Sequence, residues 1–322
     1  MPLRTRTKII CVVLAGSVLA AGLGLWSYRE PIARDALDRY FAQHGVKASY
    51  KIKAIETRRQ RLEQVRLGNP ARPDLVADWI EVDVGPSLKG ISIKAVRAGG
   101  LRLWGQQERE KISFGSLDRL LAPADDGAFR LPKLDFVLED ARIAIESANG
   151  KIGLRIDGQG NMRSGFEGKL AMISPQWGQG DCRVRNISVY GDVAIVGGQP
   201  NYIGPVRFAA LRCGKLTSGS GSVTMDASLA EDARDWRGSA RLTLDDLKMP
   251  GLLIPRVTGG GEFAGDARQT DMRFEAQLRA LRTSIAQADA VQMMAKAAIG
   301  QHGIRVRGQA RGAGLRINGA LG

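Results

Sequence analysis

From Val46 onward, apolar and polar residues alternate with period two over most of the chain. Val46, Ala48, Tyr50 and Ile52 are separated by Lys47, Ser49 and Lys51, and a second run, Leu62 to Leu67, ends at the turn Gly68-Asn69-Pro70. Such one-sided alternation predicts strands with one buried face. Short turns at Gly85-Pro86, Gly90 and Gly99-Gly100 divide the next runs and predict an antiparallel meander. The apolar positions Val82 and Val84, Ile91 and Ile93, Phe136 and Leu138, then Ile152, Leu154 and Ile156, then Val193 and Ile195 are expected to share one surface. The intervening Glu81, Asp83, Lys94, Asp135, Lys151, Arg155 and Asp192 are expected to face water. Asn149-Gly150 is a strong hairpin signal, and further strands recur through Val206, Val223, Leu242 and Leu315 without a repeat of fixed period.

Four stretches depart from period two. Ile9 to Tyr28 carries no charge over 20 residues, long enough at about 1.5 Å per residue to cross the roughly 30 Å hydrocarbon of a bilayer. Arg4, Arg6 and Lys8 precede it without an acid, which places the N-terminus in the cytoplasm and the bulk of the chain outside. Trp26 and Tyr28 suit an uncleaved anchor; a cleaved signal peptide is the rival. Pro31 to His44 predicts a short amphipathic helix stopped by Gly45, and Ser113 to Leu121 one or two helical turns. Ala276 to Ile299 has Leu278, Leu281, Ile285, Ala288, Val291, Ala295 and Ala298 at helical spacing and predicts a buried amphipathic helix. The expected organisation is a cytoplasmic stub (1–8), a transmembrane anchor (9–28), a short helix (29–45) and an elongated, curved antiparallel β domain (46–322). The fold class is mainly β with a few short helices. The ending at Gly322 suggests the N-terminal part of a longer chain.

Composition narrows the function. Apolar residues make up 44% and charged residues 25%, a folded rather than disordered balance, while 40 glycines against 6% aromatics favour short strands and turns. The formal charge of +14 points to a solvated arginine-rich surface or to anionic lipid; nucleic acid is not expected outside the cytoplasm. With only His44 and His302, a histidine triad or a metal cluster has little material, so no catalytic residue, metal or cofactor is expected. The acidic pairs Asp125-Asp126, Glu139-Asp140 and Asp245-Asp246 read as solvated turns or strand ends. Outside the anchor only Cys182 and Cys213 remain, each beside a strand in a compartment where disulfides persist. A bridge between them is expected, with two buried free thiols as the alternative.

The segment VRLGNPARPDLVADWIEVDVGPSLKGISIKAVRAGGLRLWG, the following ISFGSLDRLL, the stretch GLRIDGQGNMRSGFEGKLA and the pairs Asp181-Cys182 and Arg212-Cys213 resemble the AsmA-like superfamily of bacterial envelope proteins, in its YdbH branch, related to TamB. The resemblance implies a chorein-like bridge: a curved sheet whose apolar concave face holds phospholipid tails between inner and outer membranes. It implies membrane phospholipids as partners and an outer-membrane partner protein. Independently, a long one-sided sheet with few helices must either close as a two-sheet sandwich or leave an apolar trough open to a ligand. A non-enzymatic lipid conduit is therefore the first functional expectation. A scaffold for outer-membrane protein assembly is the second, and an envelope hydrolase on a β scaffold the third.

Overall fold

The computed structural model describes residues 29–56, 59–87, 90–108, 111–120, 134–232, 234–266, 268–300 and 303–317. The expected anchor, 9–28, lies outside them; no helix among the described residues is long and apolar enough to cross a membrane. They form one α-helix, α1 (Arg29–Gln43), one 3-10 helix (Gly115–Arg119) and twenty strands in a single sheet. The sheet begins with β1 (Ala48–Ile55), β2 (Arg59–Asn69), β3 (Arg72–Ser87), β4 (Gly90–Gly99), β5 (Arg102–Glu108) and β6 (Lys111–Ser113). It continues through β7 (Asp135–Ser147), β8 (Gly150–Asn161), β9 (Phe166–Gln179), β10 (Cys182–Val196), β11 (Gln199–Phe208), β12 (Ala210–Cys213), β13 (Leu216–Ser218) and β14 (Gly221–Leu229). Long hairpins close it: β15 (Asp235–Met249), β16 (Leu252–Asp266), β17 (Gln269–Thr283), β18 (Ala286–Gly300), β19 (Gly303–Ala313) and the short β20 (Arg316–Ile317).

The sheet is mixed, a correction to the all-antiparallel expectation. β7 lies parallel to β4 and β5, with Val96 beside Phe136 and Leu103 beside Ile143. The chain between β5 and β7 is long enough for the crossover that a parallel pair requires, whereas the antiparallel neighbours follow through turns, some with short strands between them, as β12 and β13 stand between β11 and β14.

The expected helix at 276–299 is instead the hairpin of β17 and β18, turning at Ser284-Ile285. Its helix-like spacing has a structural cause. Leu278 and Leu281 both lie against one apolar cluster, while Arg279 and Ala280 between them are exposed. On β18, Ala288 is buried and Val291 half-buried, with Asp289 and Ala290 exposed between them. Two successive outward residues turn a step of two into a step of three, which mimics a helix when repeated. Ala280 has a left-handed backbone, φ 54°. Gln64, Asp140, Asn186 and Asp246 share it, each in the middle of a strand, so the strands bend along shared creases.

Among the described residues, packing layers exist only at one end. Val46, Val65, Leu67, Ala77 and Leu117 form a buried cluster on β1 to β5, joined by Phe41 of α1 and by Phe114 and Leu120 beside the 3-10 helix. Tyr50 fixes α1 on β1: its hydroxyl donates to Asp38 Oδ1 at 2.7 Å, and burial raises its pKa, followed by that hydrogen bond. A second cluster, centred on Ile254, Val257, Ala276 and Leu278, draws only on the neighbouring strands β15 to β18. Nothing in either cluster reaches across from a second sheet.

Candidate binding face

One register row runs through the sheet. Ala48 opposes Leu67, Leu67 opposes Leu75, and Leu75 opposes Leu103. Leu103 lies beside Ile143, which opposes Leu154, and Leu154 opposes Met172. The row goes on through Val189, Val206, Val223 and Leu242. It ends through Gly259, Ala276, Met293 and Ala310. Fifteen strands thus contribute one residue each, and none is polar. At about 4.8 Å per strand, the row is roughly 70 Å long measured along the sheet. From β10 to β19 the neighbouring row on the other face is polar: Ser188, Arg207, Ser222 and Thr243, then Thr258, Gln277, Gln292 and Arg311; from β9 back to β5 it turns apolar, through Ile173, Gly153, Ala144 and Trp104.

The apolar face is also the more enclosed one. Val189 is 9% exposed and Ile195 7%, although no layer covers them; on the opposite face Ile203 is 54% and Ile173 63% exposed. In a single layer, side chains of one size differ this much only if the sheet curls toward the first face. Two adjacent glycines report the same curvature. A Cβ at Gly261, on the apolar face, would stand 2.0 Å from the Arg273 carbonyl oxygen, whereas at Gly260, on the other face, the nearest atom is 3.2 Å away. Only glycine permits the backbones to approach so closely on the inner side.

The expected surface residues fall as follows. Leu154 is in the central row, flanked on β8 by Ile152 opposite Ile145 and by Ile156 opposite Ala141. Val82 continues through Val96 to Phe136, and Leu138 lies beside Ala98. Val193 opposes Gly168 and Tyr202, and Ile195 opposes Phe166 and Pro200. Val84 is the register partner of Ile93, and Ile91 that of Pro86. Cys182 and Cys213 are register partners and disulfide-linked, with Cα atoms 4.0 Å apart.

Glu81 departs from expectation: it is buried rather than facing water. Arg97 Nη1 lies 3.1 Å from its carboxylate, Arg59 Nε 3.3 Å and Arg61 Nη1 3.7 Å, while Arg61 stacks over the Trp79 ring. Three arginines cover the carboxylate and remove it from solvent. Beside it, the hydrogen bond from Arg59, aided by Arg97, holds the Asp83 carboxyl below its ordinary pKa. Sequence pattern alone misses this because alternation gives the face and not the neighbours.

The acidic pairs at 139–140 and 245–246 belong to creases, not to reaction chemistry. Asp140 accepts from Arg102 at 2.7 Å and Arg142 at 3.0 Å, with Arg155 at 3.1 Å, while its own N–H donates to Asp157. Burial opposes the charge, but Arg142 and Arg102 prevail and lower its pKa. Asp245 is likewise lowered by Ser220 and then Arg256. Carboxylates so paired are poor general acids at neutral pH. Asp125-Asp126 lies outside the described residues. A recess of about 1010 Å³ is on the polar face of β14 to β19, lined by Arg237, Arg273, Lys296, Arg305 and Arg307 with Asp226, Glu262 and Asp271. Among the described residues no group of histidine, cysteine and acidic side chains is arranged to hold a metal.

A single-layer sheet with one continuous apolar face, curled toward that face and, among the described residues, without a covering layer over most strands, defines an open-faced β protein. The chain belongs to the YdbH-like family, described as intermembrane phospholipid transport protein YdbH, which it matches over residues 17–315. No curated relative and no solved structure matches it.

Proposed function

We propose that the apolar face carries the acyl chains of phospholipids moving between the two membranes of a cell envelope, without catalysis. The observation that carries this reading is the unbroken fifteen-residue apolar row. An apolar surface of this extent on one layer calls for a partner in water, and membership of a phospholipid-transport family supports phospholipid as that partner. In this account residues 1–8 lie in the cytoplasm, residues 9–28 anchor the chain in the inner membrane, residues 29–322 stand in the periplasm, and an outer-membrane partner receives the lipid. The cluster that caps β1 to β5 leaves the open face to the strands beyond it.

The test is mass spectrometry of lipid co-purifying with the full chain expressed in the envelope. Phospholipid bound in stoichiometric or greater amount supports the conduit. A folded protein free of phospholipid that captures an outer-membrane protein supports a scaffold instead.

A further inference from the structure

One margin of the sheet carries a second row of consequence. Beside the disulfide pair, Arg183 on β10 directly opposes Arg212 on β12. The same register continues from Arg212 to Thr217 and from Thr217 to Lys248. Lys248 then opposes Leu253, Leu253 opposes Arg282, Arg282 opposes Gln287, and Gln287 opposes Arg316. Across eight strands the row holds five cations and no acid. Arg183 and Arg212 are neighbours; the others recur on every second strand, about 10 Å apart.

Like charges directly opposite one another destabilise a sheet, so an uncompensated row is a local cost. The cations have little internal relief. Arg183 donates to the carbonyl oxygens of Gly180 and Cys182, and Arg316 has Asp289 at 3.5 Å. Among the described residues, Arg212, Lys248 and Arg282 have no carboxylate within ion-pair distance. The Cys182 to Cys213 bridge is one register step away and clamps the two strands whose arginines repel most directly.

The row stands one position in from the turn at Met249 and Leu252, on the polar face, within reach of the rim of the apolar face for side chains with long flexible stems. At the opposite margin, two of the turns carry Glu231, Asp232, Asp235 and Asp266 with Arg234 and Arg268, and the polar-face row just inside them joins Arg237 and Arg305 with Asp271. Both signs are present there, whereas the first row holds cations alone.

We propose that the row Arg183, Arg212, Lys248, Arg282 and Arg316 binds the phosphates of net-anionic phospholipid headgroups whose tails lie on the apolar face. This rests on the conduit reading and adds to it a headgroup class and an orientation. An array extended over eight strands, with a cation about every 10 Å from Arg212 to Arg316, suits a file of headgroups better than one small anion. The absence of any acid in the row disfavours zwitterionic headgroups, whose ammonium would meet only cations.

The test is a titration of the full chain, in neutral detergent, with three probes: dihexanoyl phosphatidylglycerol, dihexanoyl phosphatidylcholine and inorganic phosphate. The reference variants are R212Q/K248Q/R282Q/R316Q, the milder K248Q/R282Q should the fourfold change impair folding, and Leu154→Asp. The expected result is phosphatidylglycerol bound at least tenfold more tightly than phosphatidylcholine, the preference falling with added salt and lost in the fourfold variant or reduced at least threefold in the double one. Equal binding of the two lipids by the unaltered chain, or a preference unchanged in a folded variant, overturns the proposal. Inorganic phosphate bound as tightly as phosphatidylglycerol, and lost in the same variants, also overturns it by making the row a free-phosphate site. Failure of the conduit reading has its own signature: phosphatidylglycerol binding unaltered by Leu154→Asp but still dependent on the cations.

Discussion

Asn186 on β10 stands opposite Pro175 on β9, between the register pairs Arg185 with Gln176 and Ile187 with Ser174. The arrangement recurs three strands further along the sheet, where Asp246 on β15 stands opposite Pro255 on β16. In each case a residue with φ near 50° faces one that has no N–H to offer the sheet. Asparagine and aspartate tolerate the left-handed region, and proline fits where pairing is already broken. The crease is thus written as pairs of residues on adjacent strands, and it lets an apolar face stay continuous while the strand bends.

Ala280 occupies the same position on β17 without a side chain suited to it, at φ 54°. Ala280→Gly should stabilise the protein by about 1 kcal/mol, and Asn186→Ala should destabilise it by a similar amount. Urea unfolding of both variants checks this; a loss of stability in Ala280→Gly would show that the crease is not strained there.

Most of the strands were legible in the chain, because one-sided alternation survives in Val82, Phe136, Ile152, Leu154 and Ile156. What escaped were the places where two principles compete. At 278–281 and 288–291 the crease imposes steps of three, and local pattern then favours a helix that the pairing of β17 with β18 and β16 overrules. The parallel placement of β7 was hidden because a crossover leaves no mark of direction on the strand it delivers. On the apolar face the alternation was readable, whereas the cation row was not: Arg183 and Arg316 are 133 residues apart and share a row only through register.

The carboxylates Asp83, Asp140, Asp245 and Asp266 are all held below their ordinary pKa, Asp83 first by Arg59 and Asp266 first by backbone N–H groups of Gln269 and Arg268. A group depressed in the folded state adds stability above its unfolded pKa and loses it as pH falls through the folded value. Stability should therefore be level from pH 7 to about 5 and fall below about 4. Asp140→Asn should flatten that acid slope and lower stability at neutral pH by leaving Arg102, Arg142 and Arg155 without their shared partner. Thermal unfolding from pH 3 to 7 measures both; an unchanged slope contradicts the assignment.

The Cys182 to Cys213 bridge closes a separation of 31 positions, which in the chain-entropy model stabilises by roughly 3 to 4 kcal/mol. Breaking it also releases the opposed Arg183 and Arg212. Cys182→Ser/Cys213→Ser should shift the denaturation midpoint downward, and added salt, by screening the arginines, should recover part of the loss. A midpoint insensitive to the substitution would mean that the two strands are held without the bridge.

The central claim, that the apolar row is a lipid surface and not a dry core, is tested most directly at Leu154, midway along the row between Ile143 and Met172. Folding, by circular dichroism and thermal unfolding, and bound phospholipid, by quantitative mass spectrometry, are measured on one preparation of Leu154→Asp. An unpaired carboxylate in a closed core costs several kcal/mol, enough to unfold a marginal domain. On an open face water follows it, so the account predicts a folded protein with its phospholipid content at least halved. An unfolded protein, or a folded one with phospholipid content unchanged, would contradict it.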